Sequence, residues 1–300
     1  MTTLRTPNQQ AEKQAKTYLV TGANGSNGKE LIELFVANGL QVRAMVRSLE
    51  RAKEIDLPGV EIVEGDFDKP DTLSAALKGV TSAFLLTPSS ERAEEQQLRF
   101  VELARQSGVE RIVNLSQLHA DAGSPNRFLR YHAAVEAAIR ESGLSYTFLR
   151  PNLFMQALLN FRSTIAAQGA FYAAAGEGRV SLVDVRDIVE IAFVAMTQPG
   201  HDGKSYDITG PQALTHTELA DELSRALKRP IKYVDLPSAQ MREALLSVGF
   251  PIWQADGLVE EYELYRENHA AVVGTGVQDA LGRSPRNFAD FARDYAGAFS

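Results

Sequence analysis

Apolar positions in the first half of the chain cluster in short, nearly unbroken runs at residues 17–21 (TYLVT), 41–46 (QVRAMV), 60–63 (VEIV), 82–86 (SAFLL), 111–115 (RIVNL) and 145–149 (SYTFL). Several carry too few polar residues for one face to meet water, as in strands covered on both sides. Between them, residues 28–38, 70–77, 91–107 and 127–142 have helical spacing. Gly39, Gly79, Gly108 and Gly143 each stand just past one of these segments, where a left-handed terminal residue costs glycine least. The alternation predicts a βαβ series, and hence an α/β fold of Rossmann type with a doubly wound parallel sheet.

After Pro151 the rhythm changes. Helical spacing dominates at 153–167, 185–197, 215–227, 238–248, 257–268 and 285–296, with short strands expected at 205–208 and 231–234. Thr215 followed by Glu218 reads as a capping box. Asp184 and Asp187 are expected to cap the helix at 185–197. The chain therefore divides into a domain at 17–150 and a smaller, mostly helical lobe at 151–300, with some later segments returning to the first domain. Residues 1–16 are polar and lack an apolar signal core, and are expected to form a loose extension.

Composition narrows the chemistry. The 300 residues include no cysteine, which excludes disulfides, thiolate metal sites and a cysteine nucleophile, and suits a cytoplasmic location. A balance of 31 basic against 38 acidic residues, net −7, without any Lys/Arg run, argues against nucleic-acid binding. No apolar stretch reaches membrane-spanning length, so no membrane role is expected. The five histidines lack the i, i+4 spacing of a zinc helix, and no metal site is expected.

The strongest motif is Thr21-Gly22-Ala23-Asn24-Gly25-Ser26-Asn27-Gly28, between the first strand and the first helix. Gly22 permits a tight turn, Gly25 lets the backbone approach a pyrophosphate, and Gly28 lets helix and strand pack closely. Free amides at the helix start would hold the anion. This predicts dinucleotide binding by the first domain. An NAD-preferring site usually has a carboxylate about 20 residues after the loop, on the ribose hydroxyl. Here Arg47 and Ser48 stand there instead, and Arg47 can pair with a 2′-phosphate, so NADP(H) is expected over NAD(H). Asp66-Phe67 follows the third strand, where it can contact adenine or simply form a turn.

In addition to the glycine loop, GDFDKPDTL, FLLTPSS, SGLSYTFLRPNLFMQ and SLVDVRDIVEIA occur in an order that resembles the NmrA-like group of atypical short-chain dehydrogenases/reductases. The likeness is to its triphenylmethane reductases and NADPH-dependent quinone reductases. It implies that residues 22–28 hold pyrophosphate, Arg47 the 2′-phosphate and Asp66-Phe67 the adenine. It also implies that Leu86, Thr87 and Pro88 line the ribose, and that Pro151, Asn152, Leu153 and Phe154 border the nicotinamide. Ser116, after the fifth strand, falls where the superfamily often keeps a hydroxyl, and Phe154 and Met155 would reach the substrate.

The superfamily's usual proton-handling pair is Tyr-x-x-x-Lys. This chain has Tyr131 but Val135 in place of the lysine, and alignment through SGLSYTFLRP puts the lysine of isoflavone-reductase-like relatives at His132. His132 shares a helical stripe with Phe128, Val135 and Ile139, which suits a packed ring. It also suits a proton donor with a pKa near neutrality. Glu136 is adequately explained by a surface pair with Arg140. Aromatic residues of the second lobe, Phe171, Tyr172, Phe250, Trp253, Tyr262 and Tyr265, are further candidates for a substrate wall. Hydride transfer needs no protein base when the acceptor delocalises charge. The expected activity is therefore reduction of a conjugated, aromatic small molecule such as a quinone or triarylmethane dye. The alternative from another class is a redox sensor that binds NADP(H) and acts through contacts with a regulatory protein partner; the oligomeric state is left open.

Overall fold

The structure is a computed structural model describing residues 16–299. The extension expected over residues 1–16 lies, but for Lys16, outside the described residues. Strands β1 (Tyr18–Val20), β2 (Val42–Val46), β3 (Val60–Glu64), β4 (Ser82–Leu85), β5 (Arg111–Leu115) and β6 (Ser145–Pro151) alternate with helices α1 (Ser26–Ala37), α2 (Pro70–Leu77), α3 (Ala93–Gln106) and α4 (Arg127–Glu141). The four glycines expected to end helices have φ between +67° and +78°. The remaining elements are α5 (Arg162–Gln168), β7 (Ala170–Ala173), β8 (Arg179–Val180), α6 (Val185–Thr197), β9 (Lys204–Ile208), β10 (Leu214–Thr215), α7 (His216–Leu227), β11 (Lys232–Asp235), α8 (Ser238–Ser247), α9 (Ile252–Arg266), α10 (Gly276–Leu281) and α11 (Phe288–Asp294).

Seven strands form one parallel sheet in the order β3-β2-β1-β4-β5-β6-β9. The order reverses between β1 and β4, and the crevice at such a reversal is where open α/β sheets bind ligands. One face is covered by α1 and α6, whose buried Leu31, Ile32, Phe35, Ile188 and Ile191 pack over Val20, Ala44 and Phe84. The other carries α2, α3 and α4, which bury Leu73, Phe100, Val135 and Ile139 against Leu19, Leu85 and Phe148. Both faces are dry, which explains the unbroken apolar runs. Past Pro151, α6, β9 and α10 join this layer, while the rest builds a second core around Phe171, Leu219, Phe291 and Phe299.

The second half departs from its sequence reading in places that share a cause. The helix expected at 153–167 is a 3-10 segment (Met155–Phe161) followed by α5. Phe154 instead bridges to Val183, with Met155 N donating to Val183 O at 2.8 Å, so this stretch is extended. The helix expected from Gly257 begins at Ile252, with Gly257 inside it. A Cβ there would sit 2.4 Å from the Phe128 ring, so this glycine is a packing residue and not a helix boundary. Asp184 caps α6 through the Arg186 amide at 2.9 Å, and the Thr215–Glu218 capping box is formed. Asp187 does not cap. It is buried and pairs with Arg283 and Arg286, tying α6 to the C-terminal segment. Each difference comes from a partner far along the chain.

Candidate active site

Three neighbouring chambers lie in series, each sharing wall residues with the next. The first, ≈ 730 Å³, is walled by Gly22–Asn27, Arg47, Gly65, Phe67, Leu86, Thr87 and Pro88. Its floor is a tight turn: Gly22 has φ +63°, and Gly25 N donates to Gly22 O at 2.9 Å. Gly28 is enclosed beneath it, where a Cβ would lie 2.3 Å from Gly22 O. The buried Thr21 hydroxyl lies within 3.0 Å of Phe84 O and 2.8 Å of Leu86 N, fastening the end of β1 to that of β4. No side chain caps α1 at Gly25, and its first turn has no acidic residue. The helix therefore presents open amides and the positive end of its dipole to the chamber. Asn27 is buried, and its Oδ1 has no partner among the described residues. A tight glycine cradle, unfilled amides and an orphaned amide oxygen fit a dinucleotide.

The other nucleotide candidates take different places. Arg47 directly follows β2, is exposed, and lines this chamber with Lys29 and Lys53. Ser48 lies beside it but off the wall. Phe67 is on the wall and packs on Phe100 with ring centres 5.7 Å apart. Asp66 is not on the wall: its carboxylate accepts from Asp68 N at 3.0 Å, the arrangement of a turn. Thr87 is buried and accepts from Gln97 Nε2 at 2.9 Å.

The second chamber, ≈ 380 Å³, shares Asn27, Leu86 and Thr87 with the first. Ser116, Tyr131, His132, Pro151, Asn152 and Phe154 line it, with Gln117 and Glu261 at its far side. Met155 turns away into the C-terminal core, 1% exposed, and is not on this wall. Of the other aromatic candidates, Phe171 and Tyr262 also pack in that core, and Trp253 packs at a tilt against Phe128, ring centres 5.4 Å apart.

The electrostatics of this wall differ from the sequence reading. Burial pushes the His132 pKa down to about 3, with Glu136 only partly opposing it. His132 is therefore a neutral imidazole at physiological pH, not a group poised near neutrality. Its Nδ1 is buried without a partner among the described residues, and its ring lies 4.1 Å from that of Tyr131. Burial raises the Tyr131 hydroxyl well above its usual range, and that oxygen lies 3.0 Å from Ser89 Oγ. Both rings can hydrogen-bond, and neither readily changes charge.

Glu136 is not a surface residue. At 1% exposure it accepts from Ser116 Oγ at 2.7 Å, from Arg150 at 2.8 and 2.5 Å, and from Arg140 at 2.8 Å. Burial pushes its pKa up, but the hydrogen bonds from Arg150 and Ser116 and the nearby arginine charges outweigh this and hold it low. Ser116 thus has its proton committed to a buried carboxylate that locks β5, β6 and α4 together.

The third chamber, ≈ 630 Å³, shares Gln117, Asn152 and Glu261 with the second and is walled by residues from the segments after β5 and at the end of α9, among them His119, Asp121, Tyr265 and His269. Its geometry depends on how α9 docks. Asn126 Nδ2 donates to Gly257 O at 3.0 Å, and Arg127 pairs with Glu260 at 2.6 Å and donates to Trp253 O at 3.0 Å. Glu261, next to Glu260, then lines both the second and the third chamber. Sequence reading missed Glu261, although a signal existed: Leu258 and Tyr265 flank it at helical spacing, leaving a carboxylate on an apolar stripe.

The model of the NmrA-like family matches residues 14–292. The chain belongs to the NmrA-like family. Among curated relatives, the NAD(P)H azoreductase of Xenophilus azovorans is 37% identical over 281 residues, spanning 94% of this chain and 98% of that protein. The Escherichia coli NADPH-dependent quinone oxidoreductase in complex with NADPH superposes with a TM-score of 0.83 at 28% identity, covering 92% of this chain and 99% of that one. The triphenylmethane reductase of Citrobacter sp. in complex with NADP(H) gives 0.82 at 26% identity, covering 93% and 99%. No described helix of this family member is long and apolar enough to cross a membrane.

Proposed function

We propose that this NmrA-like protein is an NADPH-preferring reductase that delivers hydride to a conjugated aromatic acceptor. The observation that carries this reading is the adjacency of two chambers. A glycine cradle suited to pyrophosphate shares Asn27, Leu86 and Thr87 with a chamber walled by Tyr131, His132 and Phe154. When bound, the nicotinamide supplies the hydride. The chain's own residues bind, orient and exclude water. The open amides at the start of α1 grip the diphosphate within the loop 22–28, Arg47 takes the 2′-phosphate, and Phe67 borders the adenine. Leu86, Thr87, Pro88, Ser116, Pro151 and Asn152 flank the ribose and the ring.

The missing lysine and the raised Tyr131 hydroxyl leave simple ketones poorly served, because an alkoxide would need a ready proton. Acceptors that spread or cancel charge avoid that need. The reductions named for the quinone oxidoreductase and triphenylmethane reductase relatives are of this kind, whereas an azo acceptor, as the azoreductase relative's name implies, takes up a proton with the hydride. The test is consumption of NADPH and NADH by the purified chain across quinones, azo compounds and triarylmethane dyes. The reading expects turnover with at least one class and a lower KM for NADPH. Tight NADPH binding with no oxidation by any acceptor would sink it.

A further inference from the structure

We infer that Glu261 is the proton donor to acceptors whose reduction requires a proton, acting from the junction between the inner and outer chambers. The inference rests on the reductase reading above and assigns a residue to it. Only Gln117, Asn152 and Glu261 wall both chambers, among the described residues. An acceptor extending outward from the nicotinamide side must pass these three.

Two of them are amides, which carry no readily transferable proton. Asn152 Nδ2 donates to Ser181 Oγ at 2.8 Å and to Ala270 O at 2.9 Å, and Gln117 Nε2 donates to Glu261 Oε1 at 2.5 Å. Glu261 alone at this junction can carry a transferable proton. The other titratable groups on the inner wall do not compete: His132 has no imidazolium form at working pH, and Tyr131 holds its proton tightly. From the elements packed around it, Tyr262 and Tyr265 of α9 are neutral neighbours, and His119, Asp121, Glu267 and His269 line the outer chamber. Burial raises the Glu261 carboxyl to about 7, with Tyr265 and Gln117 only partly opposing it. Such a carboxylic acid is protonated below neutrality and still gives up its proton readily. The outer chamber offers water a route to reload it.

The chemistry separates acceptors into two kinds. Reducing an azo bond requires a hydride and a proton. The hydride makes one N–H bond, the N=N π pair moves to the second nitrogen, and that nitrogen takes the proton as the Glu261 O–H bond breaks. The azo group is reduced by two electrons and the nicotinamide is oxidised by two. A cationic triarylmethane dye takes hydride at its central carbon, its charge is cancelled, and no proton is needed.

Wild-type and Glu261→Gln are compared at about pH 6, where both side chains are neutral, with one azo compound and one triarylmethane cation. Loss of a general acid is expected to lower kcat/KM for the azo compound about 100-fold while the dye stays within about threefold. In the wild type, kcat/KM for the azo compound should fall as pH rises through about 7 while that for the cationic dye does not fall. Glu261→Asp should retain that pH dependence at a reduced rate. Melting temperature and NADPH affinity monitor folding. Equal losses on both acceptors, no loss on either, or a flat azo profile in the wild type would overturn the assignment. Failure of the wild type on both acceptors, by contrast, would remove the reductase reading itself.

Discussion

The two ends of this pair of chambers are built differently. The nucleotide end is main chain: Gly22, Gly25, Gly28 and the open amides of α1 lie within one turn of β1. The acceptor end is side chain: Tyr131 and His132 from α4, Phe154 after β6 and Glu261 from α9 meet across more than a hundred residues. The first therefore tolerates almost no added atom and is walled entirely by residues 22–88. The second accepts side-chain variation but depends on α9 docking onto α4. Backbone cradles fix a common cofactor, and side-chain walls are free to choose the acceptor.

Substitutions in the cradle should then have the largest effects. Gly28→Ala places a methyl carbon against Gly22 O, and NADPH affinity by calorimetry should drop about 100-fold, with about 2 kcal/mol of stability lost to overpacking. If binding survives, the closeness of α1 to the turn is not what shapes the site. Next, Glu136→Leu leaves Arg150 and Arg140 without their shared carboxylate. It should cost about 3 kcal/mol in denaturant unfolding, as expected for breaking a buried pair. Because the folded pKa of Glu136 lies below its unfolded value, its contribution is complete above the ordinary carboxylate range and is lost as pH falls through the folded value. The acid limb of the stability curve should therefore flatten in this variant.

These contrasts also explain what was legible in the sequence. The glycine loop, the six opening strands, the helix-ending glycines and the Thr215–Glu218 capping box are written in near neighbours, and local pattern found them. Glu136 was read as a surface residue because its partners Ser116 and Arg150 come from two other strands. Gly257 was read as a boundary because the ring that occupies its space belongs to Phe128. His132 was left between a packed ring and a proton donor poised near neutrality, because the burial that lowers its pKa is a property of the assembled wall. Met155 was placed beside the substrate by its position in a motif, whereas the bridge between Phe154 and Val183 turns it into the core.

Smaller effects sharpen the comparison further. Arg47→Ala should weaken NADPH about 30-fold and leave NADH within about threefold, the loss of one charge-assisted contact. Equal losses for both nucleotides would remove its phosphate role. His132→Asn should change kcat/KM by about threefold or less between about pH 6 and 9, since no charged imidazole is being removed there. The depressed folded pKa of His132 gives stability that is complete above about pH 6.5 and declines as pH falls toward the folded value of about 3. Its removal should ease that decline. A new pH dependence of kcat would show that His132 carries the proton after all.

The central claim is that a nucleotide held in the β1–α1 cradle passes its hydride directly to an acceptor in the adjoining chamber. NADPH carrying deuterium at the transferring C4 position, incubated with the chain and a triarylmethane cation, tests this most directly, because the central C–H of the leuco dye does not exchange with water. One deuterium per reduced dye molecule, read by mass spectrometry, is the predicted result. A leuco dye without label, or no reduced dye at all, would contradict the account.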